Sequence, residues 1–395
     1  MRTWLRRNLF RTWWDALLTI VFSGVALWAM WSVFRFVVFT GRWEIIDVNL
    51  TLLLVGRFPK DSLWLLYGVV TATAFWGAAV LGGGEVAGAL APSRAERLML
   101  AVRRFGLPVA VGFVLVALAG VQESIWFVVA IVAALALGRQ VKKWRRKITA
   151  LRQLPAVIWH GVLALAPVVM MVLTIRSADM RLWGGFLINF YLAFLSILLC
   201  FPLGILLALG RRSSLPMVRL VCAIYIEAVR GAPLFVLLLL SGVALNFFLP
   251  PQIDPGPVFR SVTVFTLFTA AYLAEIVRGG LQSIPKGQTE AGRALGLPTL
   301  KIIFLVTLPQ ALRNVIPAQI GQFISLFKDT TLAGAALSIV EMLKISQAIT
   351  KQDAFLGRGY IYEVLAFAGL LFWVGSFVMS KESQRVEKKL GVGQR

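Results

Sequence analysis

The chain has 395 residues, 59% of them hydrophobic, with a mean hydropathy of +0.81 and a formal net charge of +22. A soluble domain cannot bury that much apolar surface, and the apolar runs are continuous rather than alternating, which excludes a membrane β-barrel and leaves an all-α polytopic membrane protein. In a soluble chain the charge would point to nucleic acid; here Lys and Arg gathered in cytoplasmic loops account for it, and no nucleic-acid partner is expected.

The N-terminus is basic (Arg2, Arg6, Arg7, Arg11) and ends in Trp13 and Trp14, which suits a cytoplasmic start and an interfacial belt. About ten spans are predicted. The first covers roughly 16–39 and is too long for a removable signal peptide; Arg35 near its outer end reads as snorkelling to the interface. Residues 40–61 read as an outer loop, and 62–82 as the second span. Residues 106–138 are too long for one span, so they read as a tight hairpin with Gln122 and Glu123 at its tip, or as one long tilted helix. The basic segment 139–154 reads as a topology anchor in contact with anionic lipid. His160 falls inside the fifth span, roughly 155–175, as a structural group or a proton relay. Further spans follow at roughly 184–209, 219–249, 258–277, 312–329 and 360–380. With loops assigned alternately from a cytoplasmic start, most of the 40 Lys and Arg lie inside, and both termini are cytoplasmic. This divides the chain into an N-terminal membrane region of about five spans (1–183), a C-terminal five-span unit (184–381) and a basic tail (382–395).

One polar stretch between spans, 285–313, has the grammar of a helix, a tight break and a second helix. Gly296 takes the left-handed conformation that ends a helix, and Pro298 suits the first turn of the next. Glu290 is placed in the first turn of the first helix. Ala291, Gly292 and Ala294 allow close approach of a partner, Leu295 and Leu297 supply apolar contact, and Leu308-Pro309 ends or kinks the second helix.

Glu290-Ala291-Gly292, three residues, Gly296, nine residues and Val306-Thr307-Leu308-Pro309 resemble the EAA loop of permease subunits of ABC importers, with Gly292 in place of the second Ala and Val306 in place of Ile. Tyr225-Ile226-Glu227 with Arg230, Gly231 and Pro233, then Glu275 to Gly280, then Lys328 to Leu332, are similar to the polar-amino-acid branch, and the long N-terminal half resembles the longer permease of general L-amino-acid importers. The resemblance implies a type I permease core, an inner-membrane location, ABC ATPase subunits docked on the loop, a second permease subunit and a periplasmic amino-acid-binding protein, for which 330–359 is a candidate surface. The chain carries no Gly-x4-Gly-Lys-Ser/Thr, so no cofactor and no enzymatic activity of its own are expected, and ATP is used by the partner. An ion-gradient-driven secondary transporter is the alternative.

Glu227 and Arg230 share a helical face. They read either as a mutual ion pair or as a contact to the translocating substrate or a gate. Glu275 and Arg278 have the same spacing and read as an interfacial pair. Lys328 and Asp329, followed by two threonines, read as a structural cap at a hydrated mouth or as a contact for the binding protein.

Overall fold

A computed structural model describes residues 9–81, 123–148, 156–177, 182–244, 247 and 255–390. The described residues are helical apart from short connections. Gly82–Gly84, the first limb of the expected hairpin and most of the 250–257 loop lie outside them.

Helix α1 (Trp13–Arg35) continues through a π turn to Thr40. Thr12 caps it: its hydroxyl accepts from the Asp15 amide at 3.2 Å and the Asp15 carboxylate accepts from the Thr12 amide at 3.1 Å. No residue of α1 is buried, and the helix is apolar on every side. Residues 40–61 are not the expected loop: Glu44–Val55 form a helix, α2. The mixed charge suggested a loop, but Ile45, Ile46, Asn49, Leu50 and Leu53 recur at helical spacing and are buried. Helices α3 (Leu63–Leu81), α4 (Glu123–Lys147) and α5 (Ala156–Ser177) form a bundle in which α3 packs against both others. The basic segment continues the α4 helix as far as Lys147.

The C-terminal unit is built on α6 (Gly185–Arg211) and α9 (Pro257–Gln282), which pack along each other. Gly204 lets them close up: a Cβ there would stand 2.9 Å from the Leu273 side chain. Between them in sequence, the expected seventh span is a bent pair, α7 (Pro216–Gly231) and α8 (Leu234–Val243), meeting at 102°. The cause is Pro233, which cannot donate and which holds Ala232 extended (φ −93°, ψ 138°). Arg260 of α9 is buried and donates to the carbonyls of Ser241 (3.0 Å) and Gly242 (2.8 Å), closing the α8 C-terminus with a cation.

After α9 come α10 (Lys286–Ala294), α11 (Thr299–Ile302), a π turn at 303–307 and α12 (Leu308–Asp329). Of the two expectations for Leu308-Pro309, an end or a kink, the end is not met. Thr299–Asp329 is one span-length helix, widened by the π turn just before Pro309. The widening seats a ring that would clash in a regular turn, and the Gln310 side chain donates through Nε2 to the Val306 carbonyl at 2.9 Å. Helices α13 (Leu332–Leu337), α14 (Met342–Ile349) and α15 (Ile361–Leu390) complete the chain, and the expected tail begins as a continuation of α15. Five described helices are long and apolar enough to cross a membrane, six if the bent pair counts as one.

The two halves meet at the end of the bundle away from 285–313. There α2 lies on α14 and α15 in a core of Ile45, Leu50, Leu53, Met342, Ile345, Val364 and Phe367. Gly185, at φ +59°, begins α6 against the Leu53 carbonyl. Beside it is a buried polar knot. The Asn189 amide donates to Thr330 (3.1 Å) and Glu341 (3.3 Å), and its oxygen accepts from the Met342 amide (3.0 Å). Glu341 also caps α14, accepting from Leu343 (2.8 Å) and Lys344 (2.7 Å). Burial pushes the Glu341 carboxyl above its ordinary range, against the pull of these hydrogen bonds. Asn189→Ala orphans the Met342 amide and is expected to cost about 1–3 kcal/mol, read as a lower melting temperature in detergent.

Candidate functional site

The 285–313 stretch is a rigid bracket rather than a flexible connector. At the end of α10 the Gly296 amide donates to the Arg293 carbonyl (2.9 Å) and the Leu297 amide to the Gly292 carbonyl (3.1 Å), with Gly296 at φ +72°. Those paired bonds around a left-handed glycine are the Schellman arrangement. Pro298, extended at ψ 153°, starts α11.

Two expectations for this bracket change. Gly292 is the buried residue of α10, and a Cβ on it would stand 2.9 Å from Ile302 Cγ1. Its smallness therefore joins the two short helices to each other, not the bracket to a partner. Gly292→Val is expected to open this joint and lower uptake severalfold, whereas Gly292→Ala, which Ile302 accommodates by a small rotation, keeps most of it; substrate accumulation in cells reads both. Glu290 is not in the first turn, because α10 begins at Lys286; it stands beyond the reach of the helix-end dipole and projects into solvent.

Most of the remaining residues face outward. Ala291, Ala294, Leu295 and Pro309 are exposed, Leu297 is half-buried and Leu308 is buried at the root of α12. Leu295 is 79% exposed, and Leu300, which the sequence reading passed over, is 69% exposed. The polar bracket thus holds two leucines out from the fold. Leu300 was legible as the apolar residue two positions after the Pro298 start signal.

Next to the bracket, α9 carries an ionic cluster. Glu275 is the hub: it accepts from Arg211 of α6 (2.6 Å) and Arg278 (2.7 Å) and faces Arg230 of α7 (3.9 Å). Glu227 takes Arg211 at 2.7 Å. The Glu227–Arg230 pairing expected from spacing gives way to crossed partners, since the end of α7 lies against α6 and α9 and the stronger contacts come from those helices. Arg230 also sits 5.4 Å from the Tyr272 ring centroid. Glu275–Arg278 pair as their spacing suggested. The cluster holds three guanidiniums and two carboxylates and joins α6, α7 and α9.

At the other end of α12, Lys328 is exposed and Asp329 half-buried. Thr330 and Thr331 close the helix by donating to the carbonyls of Phe327 (2.7 Å) and Lys328 (2.9 Å). The bundle thus places Glu227 and Arg230 at the bracket end and Lys328 and Asp329 at the opposite end.

Residues 200–390 match the family of binding-protein-dependent transport system inner membrane components. Over 99% of its length the chain is 32% identical to the inner membrane amino-acid ABC transporter permease protein YhdY of Escherichia coli K12, covering 93% of that protein. The chain belongs to this permease family. The permease is also similar to the glutamate/glutamine/aspartate/asparagine transport system permease protein BztC of Rhodobacter capsulatus (40% identity, 55% of this chain, 50% of that one). A third relative is the probable glutamine ABC transporter permease protein GlnP of Bacillus subtilis (35% identity, 52% of this chain, 92% of that one). The chain is therefore a transport subunit of an ABC importer and not an enzyme, and ATP hydrolysis belongs to a separate partner.

Proposed function

We propose that this permease carries polar L-amino acids across the bacterial inner membrane, with both termini and the bracket in the cytoplasm. The ATPase docks on Glu290, Ala291, Ala294, Leu295, Leu297 and Leu300, while Gly292, Gly296, Leu308 and Pro309 hold that surface in shape. The observation that carries this is the pair of outward leucines on the Gly296 bracket, joined through α9 to the Glu275 cluster. Rocking the bracket moves α9, whose C-terminus leads directly into α10 through Ser283 to Pro285. The substrate class follows the names of the relatives. The ATPase supplies the energy and this chain needs no cofactor of its own. A second permease subunit of a heterodimer and a periplasmic amino-acid-binding protein complete the importer, with lipid around α1.

Glu227 and Arg230 belong to the inner gate, and Lys328 and Asp329 to the outer mouth. Arg230→Ala is expected to abolish uptake while the complex still assembles; normal uptake would remove Arg230 from the path. The reading as a whole is tested by uptake of labelled amino acids into vesicles holding the complete complex. Uptake that follows ATP supports it, and uptake driven by an ion gradient without ATP contradicts it.

A further inference from the structure

Helix α2 changes what the outer end of the permease offers a soluble partner. Of the 330–359 segment, one face of α14 is covered: Met342, Ile345 and Ile349 are buried in one core with Ile45, Leu50 and Leu53. Polar contacts fix the cover. Arg42 donates to the Arg358 carbonyl (2.8 Å), lies 4.2 Å from the Tyr360 ring centroid and pairs with Glu363 (3.5 Å). Asn49 accepts from the Gln352 amide at 3.0 Å. A molecule approaching this end therefore meets α2 and the turn after α14 along with the exposed face of α14 at Lys344, Gln347 and Ala348.

What α2 presents is one helical stripe, Glu44, Asp47, Val48 and Thr51, all exposed. Its two ionisable groups are acidic in a chain with 40 Lys and Arg against 18 Asp and Glu. The neighbouring turn carries Lys351 and Arg358 with Asp353 between them, a net positive charge, and both surfaces carry an apolar projection, Val48 (68% exposed) and Leu356 (61%). An acidic strip beside a turn of net positive charge, each with an apolar anchor, gives a partner both attraction and a preferred orientation. The surface stands at the end opposite the ATPase bracket, so the molecule that reaches it comes from the side that supplies substrate. Half of this chain accounts for 92% of the shorter Bacillus permease, so a permease of this family can be built at about half this length.

We infer that the exposed stripe of α2, together with the 351–358 turn, is the landing surface for the soluble substrate-delivering protein, which sets a basic edge against Glu44 and Asp47. This rests on the transport function proposed above. The test uses the complete complex in lipid nanodiscs, titrated with the purified, substrate-loaded binding protein, and reads the half-saturating concentration for stimulated ATP hydrolysis. Glu44→Lys with Asp47→Lys is expected to raise that concentration at least tenfold at low salt, with the difference shrinking in high salt. Should that variant assemble poorly, Val48→Cys, labelled after assembly with a bulky maleimide, is expected to give the same loss. An unchanged half-saturation in the variant that assembles overturns the inference. So does protection of the Val48→Cys thiol before any binding protein is added, which would mean that a permease subunit already covers the stripe. A wild-type complex that no binding protein stimulates contradicts the proposed function itself, and with it this surface.

Discussion

Gly296→Val is expected to abolish uptake while the membrane helices stay folded. At φ +72° the residue occupies the left-handed region, where a Cβ costs roughly 1–2 kcal/mol and a β-branched side chain more. Nothing lies within 4 Å of the position a Cβ would take, so the damage comes from the backbone and not from a clash. Relief requires a right-handed or extended residue at 296, which breaks the Leu297-to-Gly292 and Gly296-to-Arg293 hydrogen bonds and swings α11 away from α10. Leu295 and Leu300 then no longer face one partner together. Uptake by membrane vesicles, with purification of the permease on its partner ATPase, checks this: lost uptake with lost or weakened ATPase recovery is expected, and full uptake would separate the glycine from coupling. Gly296→Asn, which tolerates the left-handed region, is expected to retain most activity.

Glu275→Ala, close to the bracket on α9, should be nearly as damaging. The carboxylate is 16% exposed and meets arginines from α6, α7 and α9 itself. Removing it leaves the arginines with Glu227, which is 60% exposed and pairs closely with Arg211. Breaking a largely buried ion pair by deleting one partner costs about 3–5 kcal/mol, and partial exposure of Arg230 and Arg278 reduces that figure here. The expected result is a lower melting temperature of the complex and at least a tenfold fall in uptake, with ATP hydrolysis falling less than uptake because α7 no longer follows α9. Equal falls in both would assign Glu275 a stability role only. Glu275→Gln keeps one hydrogen-bond acceptor and is expected to fall between the two.

Local grammar carried the bracket. A glycine after a helix-forming run and a proline two residues later gave the break to the residue, because both act through their own backbone. The 102° bend was legible at Pro233 for the same reason. Contacts between distant segments were not legible. Spacing placed Glu227 and Arg230 on one face, but only the docking of α7 on α6 and α9 decides that Arg211 and Glu275 are their partners. The Asn189–Glu341 contact joins residues 152 apart, and no periodicity reports it. Helix α2 was missed for another reason: at 12 residues it is too short to register as a span, and its charges matched a loop, although the spacing of Ile45, Asn49 and Leu53 was available. The π turn before Pro309 was hidden because proline in a helix reads as an end or a kink unless the preceding turn widens.

Site-directed cross-linking tests the role of the bracket most directly. In a Cys222→Ser background, with Cys200 buried, single cysteines at Leu295 and Leu300 are placed in the assembled complex and treated with a short bifunctional reagent. Both are expected to cross-link to the ATPase, with a yield that changes when ATP is added. Failure of both to reach the ATPase, while cysteines in another cytoplasmic loop do, would contradict the assignment of 285–313 as the coupling element.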